Sequence, residues 1–346
     1  MEQIALIAGN TYIYWRDIIR FLAAAAAVSF FLALYLRRQK RVLASCACVP
    51  LAVSLSVILS RLGVWYFLPD SYENIAQVLE LQVCGGSALM GVLAGCILTA
   101  MLVWALRLEK DLPDLMDCMS IAGALGIAVG RLSSFFDASD RGMTVAADFG
   151  LPWVIPLENP VSGLTEYRVA VFLLQAMAAG VIFLILLTVY LTGKRKHGEI
   201  FLYFLLCYGG SQMILDSLRY DAMHLRSNGF VHVEQVLGAG AVILVCIVFA
   251  VRMVRAGGWK KWHFALWVLQ LGCLGTVGYM EYYVQRHGNA AVFAYSIMSV
   301  SMLMTVAAAV LTDCNARTEK RRHDRWLQRI GMGEKGESAD GENECR

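Results

Sequence analysis

The sequence predicts an all-α polytopic membrane protein because it is strongly apolar, carries little charge and contains long apolar runs. Hydrophobic residues make up 58% of the 346 residues. Charged residues make up only 16%, whereas soluble domains average about 25%. The mean hydropathy is +0.57. So few charges would not keep one packed core in solution. The composition excludes a soluble enzyme, a nucleic-acid binder, a disordered chain and a secreted disulfide scaffold.

Nine apolar runs approach the roughly 20 residues that a helix needs to cross a bilayer. The predicted spans are residues 18–36, 42–60, 87–106, 115–130, 170–191, 200–218, 234–251, 264–284 and 290–311. The fourth and sixth are short and interrupted by polar residues, and they also carry most of the candidate site residues. The chain begins without a basic segment, so we expect no cleavable signal peptide.

Basic residues set the predicted orientation. The segments after the first, third, fifth, seventh and ninth spans hold 21 of the 30 Lys and Arg residues, including every lysine. The positive-inside rule therefore predicts an N-terminus outside and a C-terminus in the cytoplasm. The outer side keeps only arginines. Arginine suits a phosphate because its planar fork binds two oxygens at once.

The fourth span ends in Gly130 and Arg131 and leads into an outer loop at 132–168. This loop has few regular signals and carries Asp137 and Asp140 near its start. Loops of this length are usually functional or disordered.

The sixth span carries Tyr208, Gln212, Asp216 and Arg219 at spacings of 4, 4 and 3, which predicts one stripe of a helix. Such a stripe must face protein, water or a bound polar ligand, and an ionisable residue in a span indicates a functional site. The alternative is that Asp216 and Arg219 simply pair with each other near the interface.

Cys84, Gly85 and Gly86 precede the third span. Paired glycines at a helix start leave backbone N–H groups open to an anion. The alternative is close helix packing, for which Gly91 and Gly95 are also suitably spaced.

The six histidines lack metal-ligand spacing, and we expect no metal or cofactor. Only His224 and His232, which lie in the loop after the sixth span, are placed to reach an outer site.

With these three clusters the chain resembles the bacterial prolipoprotein diacylglyceryl transferase family over about residues 12–252. The best stretch is 117–131, where an acidic residue, an Ala/Gly-rich helix and a terminal Gly-Arg recur at the family's spacing. Further family positions are met by Tyr208, Asp216 and Arg219 in the sixth span, Gln235 before the seventh, and Tyr14 with Trp15 at the first.

The chain also departs from the family pattern. Cys84 stands in place of a histidine, Ser134 in place of the signature asparagine, and Gln212 in place of an arginine. Glu234 replaces the glycine before Gln235. A His-Pro-Ser-Gln motif ahead of the fifth span is missing, and two spans are appended.

The resemblance implies a seven-span transferase-like core at 1–256, while the apolar runs predict two additional transmembrane helices at 257–312 and the composition predicts a charged, disordered cytoplasmic tail at 313–346. It implies a multi-pass enzyme of the bacterial cell membrane that transfers diacylglyceryl from phosphatidylglycerol to the thiol of a lipobox cysteine. The implied partners are phosphatidylglycerol, a prolipoprotein lipobox peptide and the bilayer, with no nucleic acid. Expected catalytic residues are Arg131, Arg219, Tyr208, Asp216 and Cys84, and expected substrate-binding residues are Gly85, Gly86, Ser134, Gln212, Gln235 and Tyr14.

In that reaction Arg131 and Arg219 would hold the phosphate, because negative charge moves onto the leaving glycerol-1-phosphate. The thiol needs a base or a positive field to lose its proton. Candidate bases are Asp216, Asp137, Asp140 or Tyr208. The arginines alone would otherwise acidify the thiol, or Cys84 would itself be the nucleophile.

Two other functions stay open from the sequence. The missing polar groups fit a catalytically impaired relative that binds phospholipid or lipoprotein. A small-anion transporter is permitted by the intramembrane polar residues, although nine spans show no clear internal repeat.

Overall fold

The computed structural model describes residues 4–8, 11–39, 42–68, 74–79, 89–137, 139–146, 153–158, 163–193, 196–225, 228–287 and 291–329. The chain divides into two compact units, Met1–Val242 and Ile243–Arg346, and the boundary falls within one helix.

Helices form most of the structure. They are α1 Trp15–Gln39, α2 Val42–Phe67, α3 Ile75–Leu79, α4 Leu89–Ala105, α5 Leu112–Arg131, α6 Val171–Leu191, α7 Glu199–Leu215, α8 Val233–Gly257, α9 Lys261–His287 and α10 Ala291–Arg329. A 3-10 helix, Leu132–Phe136, follows α5 directly. The strands are β1 Ile4–Ala8, β2 Thr11–Tyr14, β3 Thr144–Val145, β4 Val154–Glu158, β5 Thr165–Val169, β6 His224–Leu225 and β7 Asn228–His232.

Within the described residues, the nine helices other than α3 each overlap one predicted span. Seven of them are long and apolar enough to cross a membrane, which confirms the all-α polytopic prediction. The two shorter apolar helices are α4 and α7, with 17 residues each. The expectation that the fourth span is short was wrong, because α5 has 20 residues. The sixth ends earlier than predicted, at Leu215, so Arg219 lies beyond the helix.

Helix α5 is central to the first unit, where it packs against α1, α4, α6 and α7. One apolar cluster joins α5 to α1, α2 and α4 through Tyr35, Cys48 and Leu115. A second joins α5 to α6 and α7 through Ile121 and Phe204. Because four neighbours fix α5 along its length, both of its ends are held in defined positions.

The predicted close packing at Gly91 and Gly95 is present between α4 and α2. A Cβ atom on Gly91 would lie 2.3 Å from the Cα of Ser60, and one on Gly95 would lie 2.5 Å from the backbone nitrogen of Ser56. A larger residue at either position would have to push the two helix backbones apart.

The segment at 132–168, expected to have few regular elements, contains the 3-10 helix and a three-stranded antiparallel sheet in the order β3-β5-β4. Strands of two to five residues are too short to show an alternating pattern in the sequence. Pro156 lies within β4, and this is tolerated because β4 is an edge strand.

In the second unit α9 and α10 form an antiparallel hairpin around Val277, Ala294 and Met298. Helix α10 continues to Arg329, so the disorder expected from residue 313 is wrong for 313–329. Lys260 Nζ lies 2.7 Å from Glu319 Oε1 and Arg317 pairs with Asp313, which holds the charged turns as helix. Residues 330–346 lie outside the described residues.

Candidate active site

Arg131 and Arg219 converge on a single carboxylate oxygen. Arg131 is the last residue of α5, and Arg219 follows α7 by four residues. The Nη1 atom of Arg131 and the Nη2 atom of Arg219 each lie 2.8 Å from Asp140 Oδ1. Both side chains are 11% exposed. The two guanidinium groups therefore share one anion and do not point into bulk solvent.

Backbone contacts fix this meeting point. The backbone N–H of Tyr220 donates to the carbonyl of Arg141, and Gly142 forms an antiparallel bridge with Arg219. A Cβ atom on Gly142 would lie 3.0 Å from the Leu218 carbonyl oxygen, in the segment after α7, and 2.8 Å from Val171 Cγ2. Glycine is therefore needed for the segment after α7 to lie against the loop that follows α5.

The Asp140 carboxylate is held from several sides. Its Oδ2 accepts a hydrogen bond from the Ser134 hydroxyl at 3.0 Å, and its backbone N–H donates to Asp221 Oδ2 at 2.8 Å. Burial opposes ionisation, but the two arginines and Ser134 outweigh it and lower the pKa of Asp140 to about 2. Asp140 is therefore an anion at neutral pH.

Two further buried carboxylates contact the same arginines. Asp216 Oδ1 lies 3.1 Å from Arg219 Nη1. Glu234 Oε2 lies 3.4 Å from Arg219 Nη1 and 3.7 Å from Arg131 Nη2. We call the five residues Arg131, Asp140, Asp216, Arg219 and Glu234 the arginine cluster. The predicted Asp216–Arg219 pair thus exists, as one contact of a larger network.

Arg219 also contacts Asp221, whose Oδ1 lies 3.3 Å from its Nε. Burial disfavours the Arg219 charge, but Asp140, Glu234 and Asp221 outweigh this and raise the pKa of Arg219. The guanidinium group is therefore permanently charged, which suits it to bind an anion.

An apolar cavity of about 280 Å³ borders the cluster. Its walls come from α4, α5, α7 and α8 and are mostly Leu, Met, Phe, Ala and Gly side chains. Tyr208, Gln212 and Glu234 line the end nearest the cluster, where α7 ends and α8 begins. A cavity with apolar walls and polar groups at one end suits an amphiphilic ligand.

The other residues expected in the site are placed as follows. Ser134 reaches the cluster through Asp140. Gln212 is buried and accepts a hydrogen bond from Gln175 Nε2 at 3.4 Å. Gln235 donates to the Met213 carbonyl at 3.2 Å, so it joins α8 to α7. Tyr14 lies at the end of β2, where its ring centroid is 5.1 Å from Cζ of Arg16. Cys84, Gly85 and Gly86 lie outside the described residues.

The prediction from the sequence missed some residues of the site or gave them too little weight. Asp140 entered only as a candidate base, and Glu234 only as a departure from the family pattern. Asp221 gave no signal at all. His232 was expected to reach an outer site, and its Nδ1 lies 3.0 Å from the Asp216 carbonyl oxygen. A carboxylate in a loop or in a first helical turn looks solvated until the fold shows what covers it.

Comparisons with known proteins agree with this architecture. The family model for prolipoprotein diacylglyceryl transferase matches residues 3–252. A protein of Finegoldia magna named phosphatidylglycerol–prolipoprotein diacylglyceryl transferase is 24% identical over 202 residues, which cover 58% of this chain and 75% of that protein. A protein of the same name from Bacillus mycoides is 28% identical over 211 residues, covering 59% and 74%. The chain belongs to the prolipoprotein diacylglyceryl transferase family.

Proposed function

We propose that the protein transfers diacylglyceryl from phosphatidylglycerol to the cysteine thiol of a prolipoprotein lipobox. The observation that carries this proposal is the convergence of Arg131 and Arg219 on one oxygen of Asp140, at 2.8 Å each, beside an apolar cavity. Two guanidinium forks that can share a carboxylate oxygen can also share a phosphodiester.

The arrangement divides the donor lipid between two environments. The phosphodiester lies against Arg131 and Arg219, and acyl chain enters the cavity lined by α4, α5, α7 and α8. Tyr208 and Gln212 lie between these regions and contact the glycerol ester groups. Ser134 and Asp216 hold the cluster in place, and Gln235 holds the start of α8 against α7.

The reaction is a substitution at the glyceryl carbon that bears the phosphate. The cysteine sulfur forms a bond to this carbon as the carbon–oxygen bond to phosphate breaks. The electron pair leaves with glycerol-1-phosphate, and the thiol proton passes to a base. Fixed arginine charges stabilise the growing charge on the departing phosphate, at no cost of reorganisation during the step.

The proposed setting is the outer leaflet of a bacterial cell membrane. The distribution of lysines supports an N-terminus outside and a C-terminus in the cytoplasm. The ends of α5 and α7 that carry the cluster then lie on the outer side, where the lipobox peptide is presented.

The test is transfer by purified protein in nanodiscs that contain phosphatidylglycerol. A synthetic lipobox peptide should gain the mass of one diacylglyceryl group, and glycerol-1-phosphate should be released in equal amount. Nanodiscs of phosphatidylcholine alone and a peptide with Ser for Cys are the controls. Absence of transfer, together with failure to rescue a strain that lacks its own transferase, would contradict the proposal and favour a binding protein.

A further inference from the structure

The arginine cluster holds more negative than positive side chains. Among the described residues, the cluster sets two guanidinium groups against the carboxylates of Asp140, Asp216 and Glu234. All three carboxylates are buried or nearly so. A phosphodiester that binds to both arginines adds a further negative charge. One carboxylate must then give up its arginine contacts or take up a proton.

Glu234 is the carboxylate that is held least tightly. Its contacts to the arginines are 3.4 and 3.7 Å, against 2.8 Å for both contacts of Asp140 and 3.1 Å for Asp216. Asp140 has Ser134 as a further donor, and Asp216 has His232 Nδ1 at 3.4 Å. An incoming phosphate would therefore displace Glu234 before the other two.

Glu234 is also the carboxylate of the three that lines the described cavity. It occupies the first turn of α8, with Tyr208 and Gln212 on the facing wall of α7. A lipid headgroup at this end of the cavity meets Glu234, whereas Asp140 does not line the cavity. Glu234 thus contacts both arginines and also borders the cavity.

We propose that Glu234 is the general base that accepts the thiol proton, an assignment that rests on the proposed transferase function. The phosphodiester takes the guanidinium contacts of Glu234, which leaves its carboxylate beside the anion and short of cationic partners. The sulfur–hydrogen bond then breaks as the proton moves to a Glu234 oxygen. The sulfur electron pair forms the bond to the glyceryl carbon, and glycerol-1-phosphate leaves.

The alternative bases fit the geometry less well. Asp140 is bound to both arginines and its lowered pKa makes it a poor proton acceptor. Asp216 is 1% exposed and lies outside the cavity wall. Tyr208 lines the cavity, but a phenol is ordinarily protonated at neutral pH.

The experiment compares thiol and selenol acceptors with wild-type protein and Glu234→Gln in phosphatidylglycerol nanodiscs. A selenol is ionised at neutral pH and needs no base. Loss of a general base typically costs about 100-fold or more, and we expect that fall in kcat for Glu234→Gln with the cysteine peptide. The selenocysteine peptide should restore the rate to within about tenfold of wild type. KM for phosphatidylglycerol should stay the same or fall, because a competing negative charge has been removed.

The pH profile gives a second readout. Charged or titratable groups that face Glu234 are Arg131, Arg219, Tyr208, Asp140 and Asp216. All of these are retained in Glu234→Gln. Its rate with the cysteine peptide should rise with pH toward the pKa of a free thiol, about 8.5. A pH profile that matches wild type would overturn the assignment.

The outcomes distinguish failure of the transferase function from failure of the Glu234 assignment. An inactive wild-type protein overturns the transferase function itself. An active wild type whose Glu234→Gln variant keeps its rate, or loses it equally with both peptides, overturns only the base assignment. If Glu234→Gln does not fold, Glu234→Asp keeps the charge and moves the carboxylate back. That variant should slow the thiol peptide far more than the selenol peptide, and equal slowing of both overturns the assignment.

Discussion

The two ends of α5 carry buried charges that are satisfied in opposite ways. Near its start, Asp117 accepts hydrogen bonds at 2.9 Å from the backbone N–H groups of Gly198 and Phe201, at the beginning of α7. Glu109 accepts from the backbone N–H groups of Lys110 and Asp111. At the other end, Arg131 and Asp140 are held by side chains from several elements. The residues Glu109, Asp111 and Asp117 are called the capping carboxylates below.

The difference between the two ends distinguishes charged groups that stabilise the fold from charged groups that can take part in binding or catalysis. Backbone N–H groups cannot be exchanged for a ligand, so we expect the capping carboxylates to stabilise the fold. The arginine cluster consists of charged side chains with a surplus carboxylate beside a cavity, and its partners can be exchanged for a ligand. A buried charge paired with exchangeable side chains next to an open space is the better indicator of chemistry.

The largest expected effect comes from the arginines. Arg131→Lys and Arg219→Lys keep the charge but lose the fork, so we expect each to reduce kcat/KM for diacylglyceryl transfer about 100-fold. Arg286→Lys, at an exposed site in the second unit, is the matched control and should keep full activity. If Arg131→Lys and Arg219→Lys both keep wild-type activity, the guanidinium geometry is not used in the reaction.

At the capping end, Asp117→Ala should lower stability without changing the chemistry. Removing this carboxylate leaves two partly buried N–H groups at the start of α7 without this acceptor, which should cost about 3 kcal/mol in the free energy of unfolding. Asp17→Ala removes an exposed acid from the first turn of α1 and should cost under about 1 kcal/mol. Chemical unfolding in detergent measures both. A loss of activity per folded Asp117→Ala molecule would contradict the division between the two ends.

Asp140→Asn should give a pH-dependent loss of stability. The folded pKa of Asp140 is about 2, below the ordinary 3.8, so its ionisation stabilises the fold above pH 3.8. That contribution is lost as the pH falls through about 2. The shift corresponds to about 2 kcal/mol at neutral pH. Unfolding measured from pH 7 down to acid should show the gap between wild type and Asp140→Asn closing. A constant gap would indicate that the charge on Asp140 is not the stabilising feature.

The smallest effect is expected at His197, which pairs with Asp111 at the capping end. The two side chains are 46% and 30% exposed, so solvent screens the pair. His197→Ala should change the free energy of unfolding by less than about 0.5 kcal/mol and leave transfer unchanged. A decrease of more than about 1 kcal/mol in the free energy of unfolding would show that the His197–Asp111 pair stabilises the fold.

Much of the fold could be predicted from the sequence. Every predicted span overlaps a helix, because long apolar runs have no other stable conformation in a bilayer. The strands of the 132–168 segment and the helical continuation of α10 to Arg329 could not be predicted. Strand pairing depends on residues far apart in the chain. A charged helix depends on ion pairs such as Lys260–Glu319, whose partners lie far apart in the chain.

The sequence by itself determined that this protein is a polytopic helical membrane protein, that Arg131 and Arg219 are candidate phosphate ligands, and which family it resembles. Only the tertiary structure decided that these two arginines share Asp140, and that Glu234 stands beside them at the cavity wall. Hydropathy is a property of each segment alone, so it can be predicted from the local sequence. Which charges become neighbours depends on how α5, α7 and α8 pack, and spacing along one helix contains no information about the next.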